Sequence, residues 1–147
     1  MLASIPRPRI DELLFRFLAA VYGWERELHA RFGLDYQQIY LLQHLRRNAS
    51  QRVTDIAEAL RVPLFQATRL VNRLAEKDYL CKQKVAGDRR AVLVGLRPKG
   101  EQVVRLVEEH NQRLIVANAS RLPENVIQSL LVTAAEIGDI LHIPEEA

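Results

Sequence analysis

The chain has few of the residues that build disulfide frameworks, metal sites or catalytic centres. Only one cysteine, Cys81, occurs among 147 residues, which excludes an internal disulfide and a cysteine-rich zinc site. The four histidines show no metal-ligand spacing, and no nucleophile–base pair or phosphate-binding glycine loop is present. The sequence therefore predicts a protein that is not an enzyme, with no catalytic residues, metal or cofactor. Cys81 is either an inert structural thiol, which is favoured, or a redox sensor.

Long apolar runs are also missing. No run approaches the roughly 18 residues that cross a bilayer, and the first ten residues, MLASIPRPRI, lack the apolar core of a signal peptide. We therefore expect a cytoplasmic protein that does not contact a membrane.

Positive charge is concentrated in the middle of the chain. Residues 61–105 hold 11 Lys and Arg against 4 Asp and Glu, a net charge of +7 within a total of +3. Residues 106–147 hold 2 against 7, a net charge of −5. A basic segment beside an acidic one indicates a face that meets a polyanion, or else a solvated surface that happens to be basic.

Apolar spacing and capping residues predict a mostly helical chain with one small hairpin. Asp35 and Thr54 are expected to cap the helices that follow them, and Gly33 to end the first helix. The first helix is apolar on more than one side, which favours a partner beyond its own domain over packing within the monomer. The predicted elements are helices over 7–32, 36–48, 55–61, 64–78, 98–120 and 124–142, and strands over 79–85 and 91–96 joined by the turn AGDRR at 86–90.

The order of short helix, turn, basic helix and basic hairpin is the plan of a winged helix-turn-helix. This predicts a mainly α fold with a small β-wing. The helix over 64–78 would enter the major groove of DNA, and the hairpin tip would lie at the minor groove. A narrow minor groove attracts arginine, which would explain the adjacent Arg89 and Arg90.

Residues 35–105 resemble the MarR family of winged-helix transcriptional regulators. The motifs that carry the resemblance are VTDIAEALRV, ATRLVNRLAEKDYL and GDRRAVLVGLRPKG. The last matches the wing signature of the family at Asp88, Arg90, Leu96 and Gly100. The sequence departs from the family at Pro63, at Leu64 and Phe65, where small polar residues are usual, and at Arg97.

The resemblance implies a homodimer that binds a pseudo-palindromic double-stranded DNA operator. Helices at both ends of the chain would form the dimer and flank the DNA-binding lobe, and the two lobes would reach half-sites about one helical turn apart. The implied domains are an N-terminal dimerisation helix (1–34), a winged helix-turn-helix lobe (35–97) and C-terminal dimerisation helices (98–147).

Candidate DNA-binding residues lie on the basic helix and the wing. Arg90 would contact the minor groove, with Asp88 holding an arginine in place; an ion pair alone is the other interpretation. Arg89 would contact phosphate or solvent. Gln66 and Arg69 would contact adenine and guanine, or phosphate and solvent, and Phe65 would touch a thymine methyl or pack. The remaining candidates, for phosphate contact or helix support, are Thr68, Asn72, Arg73 and Lys84.

The resemblance also implies a possible small-molecule effector, often an aromatic acid, between the dimer helices and the DNA lobe. The candidate residues for this pocket, which core packing would explain equally, are Phe17, Trp24, Tyr36, Tyr40 and His44.

The predicted function is thus a sequence-specific DNA-binding transcriptional regulator, a repressor whose affinity an effector modulates. The alternative is a winged-helix module that binds another protein without specific DNA binding. The two differ in whether Arg89 and Arg90 affect DNA affinity.

Overall fold

The computed structural model describes residues 5–141, except for the side chains of residues 89 and 90. Within this range the fold is mainly helical with one small sheet, as predicted. In chain order the elements are α1 (Arg7–Phe32), α2 (Tyr36–Asn48), β1 (Gln51–Arg52), α3 (Val53–Leu60), α4 (Leu64–Glu76), β2 (Leu80–Val85), β3 (Asp88–Leu96), α5 (Pro98–Ala119) and α6 (Glu124–Ile140).

The chain divides into two compact units between Val107 and Glu108, within α5. The first unit contains α1 to α4, the sheet and the start of α5. The second contains the rest of α5 and α6, and none of the residues of α6 is buried. The domain bounds proposed from the sequence, at 34/35 and 97/98, remain predictions.

The core of the first unit lies between α2, α3, α4 and the sheet, and α1 and the start of α5 also contribute buried side chains to it. Each helix contributes the face whose apolar residues recur every three or four positions, which is why these short helices are stable only when packed together. The residues with almost no exposed surface are Leu28, Leu34, Leu41, Leu42, Leu45, Ile56, Val71, Leu74, Leu80, Val94, Val104 and Val107.

Two of the predicted helix boundaries are confirmed by their local geometry. Gly33 ends α1 in the left-handed region at φ 66°, with its N–H donating to the His29 carbonyl at 2.8 Å. Asp35 caps α2: its Oδ1 accepts from the Gln38 backbone N–H at 2.8 Å, and Gln38 Oε1 accepts from the Asp35 N–H at 3.0 Å.

The prediction that Thr54 caps the next helix is wrong. α3 already begins at Val53, so Thr54 lies inside its first turn. Asp55 supplies the cap contact instead, because its Oδ2 accepts from the Arg52 N–H at 3.3 Å. Helix α4 is also shorter than predicted and ends at Glu76 rather than Asp78.

The sheet differs from the predicted hairpin in its third strand and its turn. The antiparallel order is β1-β3-β2, and the two residues of β1 pair with Val94 and Leu93. The turn is Ala86–Gly87 rather than 86–90, because Gly87 adopts φ 88° and Val85 pairs with Asp88. The register then shifts, since Lys84 pairs with Val92. The backbone of residues 89 and 90 therefore lies in a bulge of β3, next to the turn rather than within it.

Candidate nucleic-acid interface

Helix α4 is fixed to the lobe by one face and exposed on the other. Its buried residues are Ala67, Leu70, Val71 and Leu74. The carbonyl of Pro63 accepts from the Gln66 and Ala67 N–H groups at 3.0 and 3.1 Å, so the first turn is ordered without a polar capping side chain. The remaining side chains of α4 are thus held at defined positions facing outward.

The outward face of α4 carries Phe65, Arg69 and Arg73 at a spacing of four residues, which places them along one side of the helix. All three are exposed, and the exposed fraction of Phe65 is 65%. None of the ion pairs between described residues involves Arg69 or Arg73. Two guanidinium groups that form no ion pair with a described residue are therefore available to an anion.

Three other predicted residues of α4 have contacts within the lobe. Gln66 is half-buried, and its Nε2 lies 3.4 Å from Gln37 Oε1 of α2. The Thr68 hydroxyl donates to the Leu64 carbonyl at 2.9 Å. Asn72 Oδ1 accepts from Lys82 Nζ of β2 at 2.8 Å. The last of these hydrogen bonds links α4 directly to the wing.

The wing presents further charge beside α4. Lys82 and Lys84 of β2 and Asp88 of β3 are exposed. The side chains of the predicted residues Arg89 and Arg90 lie outside the described residues. Lys82 was not predicted, because its partner Asn72 is ten positions away and the pairing depends on how the hairpin meets α4.

A cleft of about 420 Å³ lies between the first turn of α4, the start of α3 and the wing. Sequence reasoning missed two of its polar residues, Arg52 and Thr54. Their proximity to α4 follows from the pairing of β1 with β3, which a strand of two residues does not reveal in a sequence. The cleft is lined by Arg52, Val53, Thr54, Leu64, Thr68, Asp88, Ala91 and Val92.

Other basic residues of the middle segment have partners within the lobe. Arg97 Nη1 lies 2.7 Å from Asp78 Oδ1. Lys99 Nζ donates to the Lys77 carbonyl at 2.8 Å and lies 4.8 Å from the centre of the Tyr79 ring. The positive charge therefore separates into groups that tie α5 to the end of α4 and groups on the exposed face and wing.

The predicted effector residues lie on two helices, α1 and α2. Tyr40 and His44 of α2 lie close, with ring centroids 6.5 Å apart, and His44 Nε2 is 2.7 Å from Gln51 Oε1. Tyr36 is half exposed at the start of α2. Phe17 and Trp24 lie on α1 with exposed fractions of 43% and 37%. A separate groove of about 620 Å³ on α1 is lined by Ala19, Tyr22, Glu25, Arg26, His29, Ala30 and Asp35.

Within the range 5–141 we find no group of three or more His, Cys, Asp or Glu residues arranged to hold a metal ion. In the same range no helix has the length and apolar character needed to cross a membrane. Cys81 is a half-buried free thiol at the start of β2.

Comparison with known proteins supports the architecture and the family resemblance. Residues 32–91 match the model of the MarR family. The chain is 40% identical over 75 residues to the transcriptional regulator MntR of Lysinibacillus sphaericus, covering 50% of this chain and 48% of MntR. It is 28% identical over 71 residues to the transcriptional regulator SarR of Staphylococcus aureus, covering 47% of this chain and 62% of SarR.

The chain thus spans about half the length of MntR and under two thirds of SarR. Both relatives are named as transcriptional regulators of the helix-turn-helix type. Among solved structures, FabT of Streptococcus pneumoniae in complex with DNA aligns with a TM-score of 0.78 at 21% identity, over 92% of this chain and 97% of FabT. This similarity establishes a shared fold.

Proposed function

We propose, from the match of residues 32–91 to the model of the MarR family, that the chain is a sequence-specific DNA-binding transcriptional regulator. The observation that carries the proposal is the exposed face of α4, where Arg69 and Arg73 have no ion-pair partner among the described residues. That face lies beside the basic wing, to which Lys82 and Asn72 connect it.

The major groove of B-DNA is about 12 Å wide and admits one α-helix. Helix α4 is suited to entering the groove because the face opposite its arginines is packed against the lobe, which holds the helix in place. The first residues of such a helix contact base edges. We assign base contacts to Arg69, with guanine as its preferred partner, and phosphate contacts to Arg73.

The cleft between α4 and the wing suits the sugar–phosphate backbone that borders the groove. Arg52 and the hydroxyls of Thr54 and Thr68 line it. Lys84 would add a phosphate contact from the wing. Arg89 and Arg90 would follow the backbone to the minor groove, as proposed from the sequence.

We propose that two chains form the DNA-binding unit. Support comes from large apolar side chains left exposed on α1, where Leu13, Leu14 and Leu18 are 41–49% exposed, and independently on α6, where Leu130 and Leu131 are 61% and 60% exposed. Exposed apolar surface of this extent marks an interface. Residues 1–34 and 98–147 would supply the dimer contacts, and the lobe at 35–97 would bind each half-site.

We further propose that the regulator is a cytoplasmic repressor controlled by an aromatic-acid effector. The operator would overlap the promoter, and the effector would bind near Phe17, Trp24, Tyr36, Tyr40 and His44. An effector changes DNA affinity only by binding one arrangement of the lobes more tightly than the other. We expect such a compound to release the DNA. The extent of release should increase with the difference between its affinities for the two arrangements of the lobes.

The proposal is tested by selecting duplexes from a random-sequence pool and titrating the tightest one by fluorescence anisotropy. We expect it to bind at least about 10³-fold more tightly than a scrambled duplex, with affinity that falls steeply as salt rises. Equal affinity for both duplexes would refute sequence-specific recognition. Absence of binding to either at low salt would favour the protein-interaction module instead.

A further inference from the structure

The face of α4 that would enter the major groove has an aromatic ring at its N-terminal end. Phe65 is the second residue of the helix, and 65% of its surface is exposed. The sequence alone leaves open whether Phe65 packs or makes an external contact. Its exposure favours the external contact. A phenyl ring in water at an ordered helix start has no role in the core of its own lobe.

The position of Phe65 relative to its neighbours points to DNA rather than to another protein surface. It lies directly opposite the buried residues Ala67, Leu70 and Leu74. Arg69 follows one turn later and Arg73 two turns later on the same side. An apolar side chain followed by two cations along one helix face matches a surface that is apolar at one point and anionic beside it.

The polar residues next to Phe65 have contacts elsewhere. Gln66 lies at the α2 edge of the helix beside Gln37, and Thr68 donates back to the Leu64 carbonyl. Phe65, Gln66, Arg69 and Arg73 also line a shallow depression of about 200 Å³ together with Asp35, Gln37 and Leu70. The most protruding group at the start of α4 is therefore hydrophobic.

We propose that Phe65 is a specificity residue that selects a thymine in each half-site by contacting its C5-methyl group. This proposal rests on the proposed DNA-binding function. The thymine methyl is the one apolar group that a base pair presents in the major groove, so a phenyl ring gains by burying it and gains nothing from cytosine, which lacks it. Contacts of Arg69 and Arg73 to guanine and phosphate would hold the ring against that base.

The test removes the methyl group without changing any hydrogen-bonding atom. In the duplex selected from a random pool, each thymine is replaced singly by uracil, and affinity is measured for the wild type, Phe65→Ala, Phe65→Leu and Leu64→Ala. Burial of one methyl corresponds to about fourfold in affinity, or about 15-fold when both symmetric half-sites are changed. We expect this loss at one position per half-site in the wild type.

The variants assign the effect to the ring. Phe65→Ala should bind the thymine and uracil duplexes equally, Phe65→Leu should retain part of the difference, and Leu64→Ala should keep the wild-type ratio even if its affinity falls. Because Phe65 is exposed, circular dichroism should show an unchanged fold for Phe65→Ala.

The proposal would be overturned if the wild type binds specifically and no uracil substitution weakens that binding. It would also be overturned if Phe65→Ala keeps the wild-type ratio of affinities for the thymine and uracil duplexes. Either result would leave the proposed function standing. If the selection enriches no sequence at all, both are overturned.

Discussion

Single residues of α4 divide into those that hold the helix and those that face outward. Ala67, Leu70, Val71 and Leu74 are buried, whereas Arg69 and Arg73 are exposed without ion pairs to described residues. A change at an exposed position should therefore alter DNA binding without unfolding the lobe, which makes the two arginines informative to substitute separately.

Arg69→Ala should reduce affinity for the selected duplex by about 1–3 kcal/mol and relax its preference at one base pair, because a base contact carries sequence information. Arg73→Ala should weaken the selected and scrambled duplexes alike and lower the slope of log affinity against log salt by about 1, because a phosphate contact releases counterions. Anisotropy titrations on both duplexes over a range of salt distinguish the two.

Arg105→Ala is the matched control, since Arg105 is exposed on α5 and carries the same charge outside the proposed interface. This variant should change the ratio of affinities for the selected and scrambled duplexes less than Arg69→Ala does. It should change the slope of log affinity against log salt less than Arg73→Ala does. If Arg69→Ala, Arg73→Ala and Arg105→Ala all lose the same amount of DNA affinity, total charge alone governs binding. That result would contradict the assigned contacts.

At the scale of elements, the connection between the wing and α5 depends on the absence of a side chain at Gly100. This glycine is buried in the first turn of α5. A Cβ at this position would collide with the Tyr79 carbonyl and approach Leu96 Cδ1 to 2.8 Å. Gly100 therefore has a packing role, because it lets α5 start against the backbone of Tyr79, which lies between α4 and β2.

Gly100→Ala should lower the free energy of unfolding by about 1–3 kcal/mol, since the backbone of Tyr79 must move to accept the methyl group. Urea denaturation at a fixed protein concentration measures the change. Gly138→Ala in α6 provides the control: a Cβ there meets nothing within 4 Å, and the substitution should raise stability by up to about 1 kcal/mol. An unaltered midpoint for Gly100→Ala would show that α5 does not depend on this close approach.

The elements also show where sequence reasoning succeeds and where it fails. α2 was predictable because Asp35, Gln38 and the apolar spacing after them all favour the same start. β1 was not, because a strand of two residues has no alternation, and its pairing with Leu93 and Val94 is a tertiary contact. Missing β1 is why Arg52 and Thr54 were not predicted to lie beside α4.

At the scale of the whole molecule, large apolar side chains of α1 are exposed. Leu28 is buried, yet Leu14, Phe15 and Leu18 on the same helix are 41%, 73% and 49% exposed. Composition and periodicity predicted this surplus on α1, but they could not identify its partner, because a contact between chains leaves no pattern in one sequence. The proposed homodimer accounts for it and gives the assembly two DNA-binding lobes.

Light scattering after size exclusion should give about twice the 16.9 kDa chain mass for the wild type. Leu14→Glu should shift the protein towards the monomer, because a buried unpaired carboxylate opposes association. It should also weaken operator binding more than binding of a single half-site. Arg16→Glu, an exposed change on the same helix, should remain dimeric. A monomeric wild type, or a dimer unaffected by Leu14→Glu, would contradict the proposed role of α1.

The separation of buried and outward-facing side chains along α4 has a consequence for how such a regulator evolves. After a gene duplication, residues 65, 69 and 73 can change one at a time while Ala67, Leu70, Val71 and Leu74 continue to hold the helix in place. If the proposed contacts hold the DNA, each step would alter the preferred DNA sequence and leave the free energy of unfolding of the protein almost unchanged. One scaffold can therefore diverge to govern new sets of genes without passing through unstable ancestors.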